Sequence, residues 1–86
     1  MLRFVQFTVD APDAKKVTVA GSFNNWDAEK NPLKKDKAGT WKLKLRIPKG
    51  WYEYKFVIDG KWQEDPRCVN FVCDSFGGRN CALVVE

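Results

Sequence analysis

Histidine is absent from this chain. That removes the commonest general base and the commonest metal ligand together. Cysteine is scarce, three residues in 86, and an odd number does not complete a disulfide framework. Free thiols in a reducing cytoplasm are the expected state of Cys68, Cys73 and Cys81, with one disulfide as the alternative in an oxidising compartment. A zinc site on the three would need a fourth ligand, for which Asp74 is a weak candidate. No metal and no cofactor is expected. Long apolar runs are missing too. Nothing approaches the roughly 20 residues of a membrane span, and Met1 to Phe7 alternates where a signal sequence would be continuously apolar. No segment shows a 3.6-residue period. The only serines are Ser22 and Ser75, and no imidazole is present to activate either. Glycoside hydrolysis needs two carboxyl groups facing each other across a cleft, and so short a chain offers little room for one. An enzyme is not expected.

Aromatic residues are abundant by contrast, at 14%, with four tryptophans. The dominant period is two. Val5, Phe7 and Val9 fall on one side of the first run, and Val17 and Val19 on one side of the second. Residues 41–47 alternate throughout. Tyr52, Tyr54, Phe56 and Ile58 form a further row, so Glu53, Lys55 and Val57 take its opposite face. Residues 61–64 and 82–85 supply two short runs. Turn residues separate them, and Asp59-Gly60 is a strong hairpin signal because both residues tolerate positive φ. The pattern predicts an all-β fold, an antiparallel β-sandwich of six to seven short strands. The length suits a single domain, residues 1–86.

Lysine and arginine are unevenly spread. Residues 15–49 carry ten of them against three acids, whereas residues 50–86 carry four against six. A basic surface beside exposed aromatics would suit single-stranded nucleic acid. However, Lys42, Lys44 and Arg46 are the outward half of one alternating run, the usual solvated face of a half-buried sheet. No RNA-binding signature accompanies them. Neither nucleic acid nor membrane is an expected partner.

Three motifs then fall in order: "VTVAGSFNNWD" (17–27), "WKLKLRIPKGWYEYKFVIDGKWQEDP" (41–66) and "FGGRNCALVV" (76–85). Together they resemble carbohydrate-binding module family 48. Its members include the glycogen-binding domain of the AMP-activated protein kinase β subunit and the early-set domain of isoamylases and branching enzymes. The resemblance implies an immunoglobulin-like sandwich that binds α-1,4-glucans without catalysing a reaction. It assigns Trp26 and Trp62 to an aromatic platform and Lys55 and Asn80 to hydrogen bonds with the sugar. Phe76 takes the place of a leucine that wedges against the chain. Gly78 stands where kinase-type members carry a threonine, so that contact should be missing. Trp51 and Asn25 are candidates to extend the site. A glycoside hydrolase family 13 enzyme or a kinase is the implied protein partner, and a monomer or weak dimer the implied assembly.

The chemistry suits the residue types. Glucose has apolar faces and a rim of hydroxyls; an indole covers a face with few rotors to freeze, and amide or ammonium groups serve the rim. Each residue also has a structural reading. Trp26 could close its loop into the core, and Trp62 could pack inside. Trp51 could cap the sandwich, Lys55 could be an ordinary solvated lysine, and Asn80 could only hold its loop. Asn24 and Asn25 are turn formers first. Trp41 and Phe23 belong to the core. The rival function is the same fold without sugar, serving as an interaction module for a glycogen-metabolising enzyme or kinase.

Overall fold

The computed structural model describes residues 2–75 and 77–86. Eight strands occur among them: β1 (Leu2–Asp10), β2 (Val17–Gly21), β3 (Lys34–Lys35), β4 (Thr40–Pro48), β5 (Gly50–Ile58), β6 (Lys61–Gln63), β7 (Phe71–Cys73) and β8 (Arg79–Val85). The four alternating rows and the two short runs are six of these strands. The two additions, β3 and β7, are two and three residues long, too short for a period to show.

The strands form two antiparallel sheets. One has the order β1-β4-β3; the other has the order β2-β5-β8-β7, with β6 also on β5. Phe7 and Val9 of β1 and Trp41 and Ile47 of β4 meet Val17, Val19, Tyr54, Phe56, Cys81 and Val85 of the second sheet in one buried cluster. Each sheet therefore turns one face inward, which is the immunoglobulin-like sandwich. Trp41 is core, as its place in the alternating row requires, and its indole N–H donates to the Ala11 carbonyl at 2.8 Å.

Strand β5 organises the second sheet. Its register with β2 runs from Tyr54 to Ile58, and with β8 from Gly50 to Tyr54. Beyond β8, the same edge is taken by β6, which pairs with Phe56 to Ile58. The β5–β6 turn is the expected Asp59-Gly60 hairpin, with φ of 50° and 83°. The Asp59 carboxylate also accepts the N–H groups of Lys15 and Lys16, each at 2.9 Å.

Gly21 closes β2 where no side chain fits. A Cβ there would sit 2.5 Å from the Glu53 carbonyl oxygen and 2.8 Å from the Tyr54 Cβ. Its φ of −164° is ordinary extended backbone, so the requirement is space. Gly21→Ala is expected to lower unfolding free energy by about 1–3 kcal/mol, seen as a lower urea midpoint. An unchanged midpoint would mean that β2 and β5 separate there at no cost.

Two of the three cysteines are not free thiols. Cys68 and Cys81 form a disulfide, and Cys73 is free and exposed. Counting cysteines could not show this, because pairing depends on β8 lying beside the turn that holds Cys68. That turn is fixed from a second direction: buried Asp65 accepts the Tyr54 hydroxyl and the Arg67 N–H. Burial, with the carboxylate as hydrogen-bond partner, raises the Tyr54 phenol well above its ordinary pKa.

The basic residues of β4 lie on the other sheet. Lys42, Lys44 and Arg46 are exposed along its outer face, where Lys42 approaches Asp36 at 3.4 Å and Arg46 lies over the exposed Phe4 ring.

Candidate functional site

The outer face of the second sheet carries Glu53, Lys55 and Val57 of β5, by the parity that turns Tyr54 and Phe56 inward. Two segments reach over this face. On one edge, Val57 and Trp62 are register partners, so the Trp62 side chain takes the same face. Val57 is buried there although its strand face looks to solvent.

Trp26 arrives from the β2 end. A 3-10 turn at Ser22–Asn24 follows Gly21, and then Asn25 and Trp26 adopt φ of 58° and 57°. A bulky residue with positive φ is uncommon and strained. What holds it is local. The Trp26 N–H donates to the Gly21 carbonyl at 2.8 Å. Buried Asn24 accepts the Gly21 N–H and donates to the Val19 carbonyl and to Asn31 Oδ1. Phe23 anchors the turn against Phe7 and Tyr52, with ring centroids 5.5 and 6.2 Å apart. The left-handed pair reverses the chain and aims the indole across β5 instead of into the core.

The two indoles meet there. The ring centroids of Trp26 and Trp62 are 6.4 Å apart, the planes tilted by 44°, and the rings 37% and 48% exposed. They border a groove of about 720 Å³, within the usual range of small-ligand sites. Lys55 and Asn80 also line it, together with Glu53, Asp74, Ser22, Ser75 and Cys73. Four of the five residues expected at the site thus share one concavity; Phe76 lies outside the described residues. Asn25 is exposed at the left-handed position of the turn and does not border the groove. Trp51 is exposed on the same sheet face and does not border the groove.

Lys55 is not a solvated lysine. Its ammonium bonds Asp74 Oδ2 at 2.8 Å, and the two side chains are 17% and 11% exposed. An ammonium has three donors, and this bond uses one while fixing the direction of the others. Asn80 is buried and donates to Glu53 Oε1 at 3.0 Å. Both carboxylates therefore orient a groove donor.

Asp74 and Glu53 were not legible as site residues. Asp74 also closes the loop after β7. It accepts the Gly78 N–H at 2.8 Å while its own N–H donates to the Gly78 carbonyl at 3.0 Å. Gly78 now has a physical reason. A Cβ there would lie 3.0 Å from Asp74 Oδ2 and 3.1 Å from Lys55 Nζ, against the ion pair itself. Nearby, Arg79 bonds Glu64 and holds that carboxyl below its ordinary range.

A family model described as the glycogen recognition site of AMP-activated protein kinase matches residues 5–86. The chain belongs to this glycogen-recognition family. Similar stretches occur in longer proteins. Protein PTST homolog 2, chloroplastic, of Arabidopsis thaliana is 35% identical over 73 residues, covering 85% of this chain and 13% of that protein. Protein FLOURY ENDOSPERM 6, chloroplastic, of Oryza sativa subsp. japonica is 40% identical over 53 residues, or 62% of this chain and 10% of that protein. The 1,4-alpha-glucan branching enzyme GlgB 2 of Rhizobium etli is 45% identical over 56 residues, or 63% and 8%. This module thus spans about a tenth of these relatives. In fold it matches a solved maltogenic amylase from S. marinus, with a TM-score of 0.79 over 96% of this chain and 13% of that one, at 24% identity.

Proposed function

We propose that this glycogen-recognition module binds α-1,4-linked glucan chains and performs no chemistry on them. The observation that carries the proposal is the pair of exposed indoles, 6.4 Å apart, over a groove lined with oriented donors and acceptors. Solvent-exposed rings side by side are costly unless something covers them, and a sugar face is flat, apolar and ringed by hydroxyls. Trp26 and Trp62 stack on glucose faces. Lys55 and Asn80 donate to ring or hydroxyl oxygens; Glu53 accepts from a hydroxyl, and Asp74 holds the Lys55 ammonium in place. The Lys55 ammonium is already matched by the Asp74 carboxylate, so it does not select for an anionic ligand. The names of the relatives support α-glucan as the polymer and a glucan-acting enzyme, or a protein associated with one, as the larger setting.

Isothermal titration calorimetry with maltoheptaose and with β-linked cellohexaose tests the reading. Saturable heat with the α-linked chain alone is expected. No heat with maltoheptaose at millimolar concentration would leave the fold as an interaction module without sugar.

A further inference from the structure

The most exposed indole of the four is not in the groove. Trp51 is 56% exposed, against 48% for Trp62, 37% for Trp26 and 8% for Trp41. Its register partner across β5 and β8 is Val84, itself 60% exposed. Parity places both on the outer face, with Glu53 and Lys55 on one strand and Asn80 on the other. Trp51 therefore does not cap the sandwich. It lies on the far surface from the core, beside a valine that is equally bare.

The position along β5 gives this patch a meaning. Trp62 stands level with Val57, and Trp51 lies six residues away, about 20 Å at the strand rise. Between them come Lys55 with Asp74, then Glu53 with Asn80. Glu53 borders the groove and is one pleat from Trp51, about 7 Å. The face thus reads, along a single strand, as an aromatic pair, a polar stretch of oriented donors and acceptors, and a second aromatic surface. From this layout we infer that Trp51 and Val84 form an outlying subsite for the same glucan, so that a chain lies along β5 and its affinity grows with length. The inference rests on the proposed α-glucan binding. Ring faces near Trp26 and Trp62 hold one end, and a glucose several units further on covers Trp51.

The test is calorimetry of maltotriose and maltoheptaose on the wild-type chain, on Trp51→Ala and on Trp51→Phe, with circular dichroism to confirm the fold. Maltotriose engages only the groove. Maltoheptaose is expected to bind the wild type about tenfold more tightly than maltotriose, the contribution of one good aromatic contact. Trp51→Ala should remove most of that gain and leave maltotriose within twofold, on the order of an ordinary rim substitution. Trp51→Phe should keep part of the gain. Equal affinities for the two sugars on the wild type would overturn the subsite while leaving the groove intact. A gain that survives Trp51→Ala, or equal losses for both sugars, would also overturn it. So would a fall in sedimenting mass in Trp51→Ala, which would assign the patch to a contact between two copies. A wild type that binds neither sugar would instead remove the groove reading, and the subsite with it.

Discussion

Trp62→Ala is expected to weaken maltoheptaose binding about thirtyfold or more, with little change in stability. Central aromatic contacts in an interface commonly cost 2 kcal/mol or more on truncation, and each 1.4 kcal/mol is tenfold in affinity. Trp62 is on the short strand β6 and is 48% exposed, so its removal opens no cavity in the core. Trp26→Ala is expected to cause a similar loss of affinity for a less simple reason. Trp26 is less exposed, at 37%, so truncation gives up apolar contact made in the folded state, while the φ of 57° strains tryptophan and alanine alike. Its variant should therefore lose some stability as well. Calorimetric titration of both variants, with urea unfolding alongside, separates the two costs. Full affinity in either variant would show that the indole faces play no part.

The second large effect concerns the disulfide. Reduction of Cys68–Cys81 is expected to cost about 3 kcal/mol, the loop-closure value for a separation near 15 residues; here it is 13. In a domain of this size 1 kcal/mol moves the melting temperature by roughly 4–8 °C. A fall of roughly 12–24 °C under reductant follows. The bridge matters because it ties the end of a strandless segment to β8. Residues 64–70 contribute no strand, and side-chain and single backbone bonds hold them to the sheets: Glu64 with Arg79, Asp65 with Tyr54, Arg67 with Asp10 and the Asn70 carbonyl with the Ala82 N–H, besides the bridge itself. The double variant Cys68→Ser/Cys81→Ser should melt where the reduced protein does, and Cys73→Ser where the oxidised wild type does. Coincident melts with and without reductant would contradict this account.

What could be read in advance follows from range of interaction. Strands with a half-buried face write their period into neighbouring residues, so β1, β2, β4 and β5 are visible in the sequence, as is the Asp59-Gly60 turn. Their parity also places Lys55 outward and Tyr54 inward. The family resemblance singled out Trp26, Trp62, Lys55 and Asn80, and the fold brings these four to one groove. The contacts not anticipated are those made by packing across the chain. Asp74 meets Lys55 from 19 residues away, and Glu53 meets Asn80 from 27. Neither carboxylate carries a local signal, because what selects it is the neighbour that the sheet supplies. Asn24 is an intermediate case. Its place in a turn was legible, but its three bonds to Gly21, Val19 and Asn31 arise only once the loop lies back along β2. Val57, buried at an outward-facing position beside its register partner Trp62, is a further case.

The most direct measurement is the tryptophan emission of the folded chain titrated with maltoheptaose. Trp41 is buried in the core and should stay silent, so a sugar that lies on the outer indoles reports through them alone. The account predicts a saturating change in the wild type that is lost, or nearly so, in a folded Trp26→Ala/Trp62→Ala variant. A wild type whose emission does not move, or a double variant that responds as the wild type does, would contradict it.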